Sequence, residues 1–396
     1  MAWVTTHPPL RVDLDACVAC GLCLPVCPTY RLTGDETASP RGRLAAIDAV
    51  DTGVIAVDHR FGEIVDFCLQ CRACETACPS LVPFGQIIER ASAEVVAQMP
   101  STVSRLRRFA VTTALTNPAI LRSGAIAIGA AQRIGLAKVA RRVGLPTDGL
   151  RKIPIPHRSA RGGSWGSADA RVATLFVGCV ADAWFSDIHK ATIEVLLAAG
   201  YRVEAPAAQR CCGALAAHEG LVDDAERMAG SNRRVLASAD VIIVNVAGCG
   251  AHLKADPEIG GRVRDITEVV AAAIEDGRLP ALPTNGERVA VQDPCHLEHG
   301  QGIVEEPRTV LEAAGYEVLD ADPGGLCCGA AGMYLLDHPD TSTELGRRKA
   351  EAVEATDATL VASANAGCEM QLRRFLGAGY EIRHPVELYA KNLSSL

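Results

Sequence analysis

The chain has 396 residues, 48% hydrophobic and 22% charged, an ordinary globular balance that excludes disorder, collagen and a coiled coil as the main architecture. At about 150 residues per domain its length points to two or three domains. Acidic residues (47) outnumber Lys and Arg (39), and a net charge of −8 speaks against a dedicated nucleic-acid binder. Sixteen cysteines are too many for inert core filler, and so long a chain is the wrong frame for a small disulfide scaffold. The opening MAWVTTHPPL lacks the charged and apolar regions of a secretory signal, and the best apolar stretch, Ala119 to Ala140, is interrupted by Arg122, Arg133 and Lys138. Neither a signal nor a membrane span is expected. The thiols are expected to meet a reducing cytosol, where clustered Cys carries metal or redox chemistry.

All sixteen cysteines fall into two internally repeated patterns. The first is Cys17-x2-Cys20-x2-Cys23-x3-Cys27-Pro28, repeated 51 residues later as Cys68-x2-Cys71-x2-Cys74-x3-Cys78-Pro79. Cys at i, i+3 and i+6 wraps three irons of a cube, and in two-cluster ferredoxins the last Cys of each run crosses to the other cluster. Carried onto this chain, that pattern gives Cys17, Cys20, Cys23 and Cys78 for cluster 1, and Cys68, Cys71, Cys74 and Cys27 for cluster 2. Four-cysteine zinc sites would more often show two separated C-x2-C pairs. Helical spacing in Arg41–Val50, in Phe61–Phe67 and in FGQIIERASAEVVAQ after Cys78 predicts a mostly helical ferredoxin domain over residues 1–99.

Residues 100–167 read as a basic helical connector. Between Pro100 and Arg161 lie twelve basic residues and one acid, Asp148, with apolar residues at helical spacing, breaks at Pro118 and Gly144, and a flexible boundary expected at GGSWGS (Gly162–Ser167).

The second pattern sets Cys179, Cys211-Cys212-Gly213 and Cys249 against Cys295, Cys327-Cys328-Gly329 and Cys368, with VLLAAGYRV (Val195–Val203) echoed by VLEAAGYEV (Val310–Val318). It predicts two α/β copies, residues 168–286 and 287–396, with parallel sheets whose strands end near Cys179, Cys249, Cys295 and Cys368. Adjacent thiolates in a Gly-terminated turn repel one another and are badly placed for a disulfide, and each copy holds four, the number a [4Fe-4S] cube needs. Three arrangements stay open: one cluster at the interface of the copies, two clusters, or a structural thiol set without metal. His252, His296 and His299 lie beside these cysteines and are read as loop caps or carbonyl partners in preference to iron ligands. The overall class is α+β and multi-domain. No Gly-rich dinucleotide fingerprint, phosphate loop or nucleophile elbow occurs, so no flavin or nicotinamide site and no catalytic residue is expected on this chain.

CVACGLCLPVCPTY, GDETASPRGR, CLQCRACETACPS, CCGAL, GCGAH, DPCHLEHGQ, LCCGAAGMYLL and NAGC, in this order, resemble the iron–sulfur subunit of bacterial glycolate oxidase from Ala16 to the C-terminus. More distantly the chain is similar to the iron–sulfur subunit of anaerobic glycerol-3-phosphate dehydrogenase and to the heterodisulfide reductase subunit with the same two modules. The resemblance implies two [4Fe-4S] clusters on the eight N-terminal cysteines. It also implies an FAD-binding partner that oxidises glycolate or D-lactate, and electron transfer to a membrane quinone, with the basic segment 100–161 available to an anionic membrane surface or an acidic partner. One departure stands out: the C-x2-C that closes the heterodisulfide reductase pattern is broken by Val246 and Asn365, which counts against disulfide-reducing activity here. A thiol reductase, which would turn over substrate alone, and a cluster-based sensor or scaffold, with no redox partner, are the competing functions.

Overall fold

The computed structural model describes residues 3–100, 102–134, 151, 159–321 and 324–395. Its N-terminal part contains helices Arg11–Asp15, Pro28–Thr33, Pro40–Asp51, His59–Asp66, Ala73–Thr76 and Phe84–Gln98, with no strand among the described residues up to Gln98. Pro28 and Pro40 begin their helices, where a missing N–H costs nothing. Ser39 and Asp58 cap the next two by accepting, at 2.9 Å each, from the amides of Gly42 and Phe61. Leu44, Ile47 and Val50, spaced on one helical face, pack with Phe61, Val65, Ile87, Ile88 and Ala91 into one small core. This is the mostly helical module that the spacing predicts.

The basic segment begins with helix Thr102–Phe109, a π turn at Ala110–Ala114 and helix Pro118–Arg133. Pro118 does break the run, as the first residue of a new helix, whereas Gly144 lies outside the described residues. Leu121, Ala125 and Gly129 form the buried row, with Leu121 and Ala125 against Ala183. GGSWGS is not a flexible boundary. It carries β1 (Ser164–Trp165), antiparallel to β3 (Tyr201–Glu204), with the Gly162 amide donating to Ala205 and the Ala205 amide to Gly163. The indole of Trp165 packs on the core of the following sheet, and that contact fixes the segment.

Two sheets follow. The first has the order β1-β3-β2-β4-β5, with β2 Arg171–Leu175, β4 Ile242–Val244 and β5 Val263–Asp265; the second has β7-β6-β8-β9, with β6 Arg288–Gln292, β7 Glu317–Asp320, β8 Leu360–Ser363 and β9 Glu381–Arg383. Apart from β1, every pairing is parallel, with Ala173 opposite Val203 in the first sheet and Ala290 opposite Leu319 in the second. The apolar runs of β4 and β8 are buried on both faces, as parallel strands under helices must be. Removing β1 leaves the same strand order twice, so the duplication seen in the sequence is a duplication of topology.

The copies share one core. Helix Pro385–Leu393 packs against helix Ser186–Ala198 of the first copy, and Leu196, Val270, Val310, Leu311 and Tyr389 join a single buried cluster. Arg151 stitches the connector to it: its guanidinium donates at 2.7 Å to Glu369 Oε2 and to both carboxylate oxygens of Glu387, beside the ring of Phe185. All three ion-pair partners are nearly inaccessible to water. Removing the cation alone strands two buried carboxylates, so Arg151→Met is expected to destabilise the protein by about 3–5 kcal/mol in denaturant unfolding. A change below about 1 kcal/mol would show that the pair is solvated.

Candidate metal centres

The two N-terminal cysteine loops have the same backbone. Ala19 and Gln70, each two residues after the first cysteine of its motif, are left-handed, with φ of 54° and 53°. Gly21 and Arg72, each following the second cysteine, are left-handed too, with φ of 83° and 65°. Three of these four carry side chains, for which this conformation is costly. Alternating left-handed residues wrap the loop around a centre and turn its amides inward, and the Gln70 amide donates to Cys68 Sγ at 3.4 Å. Arg72 is held by Glu75 at 2.7 Å, and Glu75 also accepts from the Gly85 amide at 2.6 Å.

Cys17, Cys20, Cys23 and Cys78 line one recess, with Leu44, Val82 and Phe84 in its wall. Cys27, Cys68 and Cys71 line a second, with Leu69, Phe84 and Arg43; Cys74 borders both. The last cysteine of each motif therefore faces the other motif's loop. Burial pushes the Cys23 and Cys68 thiols up, and those of Cys71 and Cys74 well up, so neutral thiols alone are the stable state unless cations occupy the recess. Cys20 is exposed and marks the solvent end of the first recess.

In the first α/β copy, Cys179 lies 3.3 Å from Cys211 and Cys212 lies 3.3 Å from Cys249. In the second, Cys328 lies 3.2 Å from Cys368, and Cys295 is within hydrogen-bonding reach of Cys327. Each copy thus gathers its own four thiols. Cys179 and Cys295 sit just beyond β2 and β6, as expected. Cys249 and Cys368 instead lie in the first turns of helices Ala247–Lys254 and Ala366–Phe375, because β4 and β8 end several residues earlier and Val246 and Asn365 start the helices. Hydrogen bonding to Cys211 and burial hold the Cys179 thiol far up, while bonds from Cys179 and Cys212 hold Cys211 well down.

Several residues escaped the sequence reading. Asn365 is more than a lost ligand position: its amide donates to Cys368 Sγ at 3.3 Å, and its oxygen accepts from Gly248 of the other copy at 3.4 Å. His218, with no cysteine neighbour to flag it, accepts or donates at 3.1 Å to Glu89 and 2.7 Å to Gln70, and stacks on His296 at 5.4 Å. Burial holds His296 down to about 3 and His252 below its ordinary value, so both are neutral imidazoles. His299 meets Thr76 of the ferredoxin part at 3.2 Å. None of the three acts as the carbonyl partner expected of it. Most consequential for function, Cys71 shares a buried cluster with Leu69, Leu326, Cys327, Tyr334 and Leu345, against which Cys295 packs. Gly220, at φ +70°, allows the first copy to touch the backbone of Ser92: a Cβ there would lie 2.5 Å from the Ser92 carbonyl oxygen.

Loops of this shape, thiols disposed around recesses and inward-turned amides fit iron–sulfur clusters, and together with the duplicated α/β sheets they define an iron–sulfur electron-transfer protein of two modules. Residues 13–82 match the 4Fe-4S dicluster domain family, and residues 173–254 and 289–373 each match the Cysteine-rich domain family. The chain is 33% identical to the probable glycolate oxidase iron-sulfur subunit of Bacillus subtilis (strain 168), over 91% of this chain and 88% of that one. It is 30% identical to the glycolate oxidase iron-sulfur subunit of Escherichia coli (strain K12), over 96% and 94%. A lactate utilization protein A of Geobacillus thermodenitrificans (strain NG80-2) is 28% identical over 52% of this chain and 91% of its own. The chain belongs to the glycolate oxidase iron–sulfur subunit family.

The left-handed position between Cys17 and Cys20 yields a direct test. Denaturant midpoints are expected to fall in the order Ala19→Gly, parent, Ala19→Val, with the β-branched variant costing about 1–2 kcal/mol. A parent and Ala19→Val of equal stability would contradict the loop geometry.

Proposed function

We propose that the chain is the electron-transfer subunit of a flavin-dependent 2-hydroxy-acid dehydrogenase, taking electrons from an FAD-binding partner and passing them towards membrane quinone. Supporting this, the relatives whose names carry a substrate are glycolate oxidase subunits and lactate utilization proteins. One observation carries the reading: the thiol sets form a continuous series, from the solvent-facing rim at Cys20, through the recess of Cys27, Cys68 and Cys71, to Cys327 and Cys295 in the second copy.

Iron–sulfur clusters, when bound, supply one-electron oxidation and reduction. Cys17, Cys20, Cys23 and Cys78 would hold one [4Fe-4S] cluster and Cys68, Cys71, Cys74 and Cys27 another. Cys179, Cys211, Cys212 and Cys249, and Cys295, Cys327, Cys328 and Cys368, are two further ligand quartets. The chain's own residues keep the series dry and fixed in order: Leu69, Leu326 and Leu345 exclude water between Cys71 and Cys327, and Asn365 donates to a ligand sulfur. An oxygen-free preparation is expected to hold about sixteen irons and as many sulfides per chain, with Cys71→Ser losing about four. About eight in the parent would restrict clusters to the ferredoxin part, and a colourless protein would end the proposal.

No described helix is long and apolar enough to cross a membrane. Peripheral contact on the inner face of the cell membrane is supported by helix Pro118–Arg133, whose outer side exposes Ile120 and Ile126, followed by Ile134, beside exposed Arg122 and Arg133. Arg107 and Arg108 are engaged elsewhere, with Glu219 and Asp337 and with Asp224 respectively; Arg141 and Arg142 lie outside the described residues. At about 1 kcal/mol per basic residue near an anionic surface, the double variant Arg122→Glu, Arg133→Glu is expected to weaken sedimentation with phosphatidylglycerol vesicles about tenfold or more. Unchanged sedimentation would assign the face to another partner.

A further inference from the structure

Arg43 is a cation buried to 1% exposure in helix Pro40–Asp51. Its guanidinium donates to three carbonyl oxygens, of Ile64 at 2.9 Å, Ala38 at 2.6 Å and Phe67 at 2.9 Å, and approaches the Thr29 hydroxyl at 3.3–3.4 Å. No carboxylate of the described residues lies within ion-pair distance of it. Buried guanidinium groups ordinarily have an anion, because carbonyl dipoles do not replace the hydration of a full charge. The one place for an anion beside Arg43 is the recess it lines with Cys27, Cys68, Cys71 and Cys74. Arg43 also joins the two segments that face this recess. It reaches Ala38 and Thr29, which contact Cys27 Sγ at 3.5 and 3.2 Å, and Phe67, which precedes Cys68. Among the influences on the Cys68 thiol, its positive charge is the largest that opposes burial. The first recess differs: its guanidinium neighbour Arg41 is largely exposed and already paired with Glu36 at 2.8 Å.

We propose that Arg43 is the internal counter-charge of the centre held by Cys27, Cys68, Cys71 and Cys74, a positioning residue that raises this centre's reduction potential above that of the Cys17, Cys20, Cys23 and Cys78 centre. The inference rests on the cluster assignment above and goes beyond it. A fixed positive charge in a low-dielectric wall favours the more negative, reduced state of whatever occupies the recess. Electrons arriving at the solvent-facing recess therefore run downhill to the buried one, next to Cys327.

The test is an EPR-monitored redox titration of the full-length protein purified without oxygen, with iron counted in every sample. Arg43→Gln removes the charge; Arg43→Lys keeps it and removes the fork that binds three carbonyls. The parent is expected to reduce the buried centre first. In Arg43→Gln the reduced-to-oxidised ratio of that centre, at the parent's midpoint, is expected to fall about tenfold or more, which is 59 mV for one electron, or the centre is lost while Arg43→Lys retains it near the parent potential. An Arg43→Gln protein with full iron and an unmoved potential overturns the proposal. So does an Arg43→Lys protein that shifts or loses the centre as Arg43→Gln does, since carbonyl bonding would then be the whole role. A parent without iron fails the cluster assignment instead, which keeps the two failures distinct.

Discussion

Sulfur atoms brought within 3.2–3.3 Å of one another inside a protein, away from water, are the constraint on which the architecture turns. As thiols they waste a buried polar site, and as thiolates they repel without solvent to screen them. Only multivalent cations make such sets favourable, and inorganic iron with sulfide is the occupant that four cysteines around a recess suit. Other features serve this need. Left-handed residues bend the loops around their contents, and Asn365 donates to a sulfur that helix backbone cannot reach.

The same constraint explains how the parts are assembled. A one-electron relay needs its centres close together and dry between, so the ferredoxin part cannot simply be tethered. Helix Phe84–Gln98 packs against helices Ala214–His218 and Val222–Val235 of the first copy, and helices Pro28–Thr33 and Ala73–Thr76 meet helices of the second. The connector reinforces the arrangement through Arg107 on Glu219 and Asp337 and through Arg108 on Asp224. Its basic character, which in the sequence alone could mean lipid or an acidic subunit, is thus partly consumed within the chain.

Cysteine spacing made much of this legible. A fixed offset of 51 residues revealed twin loops, and the repeated CCG turns revealed twin sheets, because metal ligands tolerate no insertion between them. Helices such as Phe84–Gln98 followed from apolar periodicity that a helix must obey to bury one face. What stayed hidden depends on tertiary placement. Trp165 looked like part of a Gly-rich linker because a two-residue edge strand has no periodicity to detect. Arg43 looked like one more helix residue, because nothing local signals burial without a carboxylate. His218 carries no motif at all, and its meeting with Glu89, Gln70 and His296 draws on four segments far apart in the chain.

The core shared by the two α/β copies also bears on biogenesis. Helix Ser186–Ala198 is covered by helix Pro385–Leu393, which the ribosome makes much later, whereas the ferredoxin core from Leu14 to Ala91 is complete early. Nascent chains thus present the twin-loop region ready for loading while the first CCG quartet still lacks its roof. Delivery of iron is consequently staged by translation itself, N-terminal centres first and CCG quartets only after the downstream helix has docked.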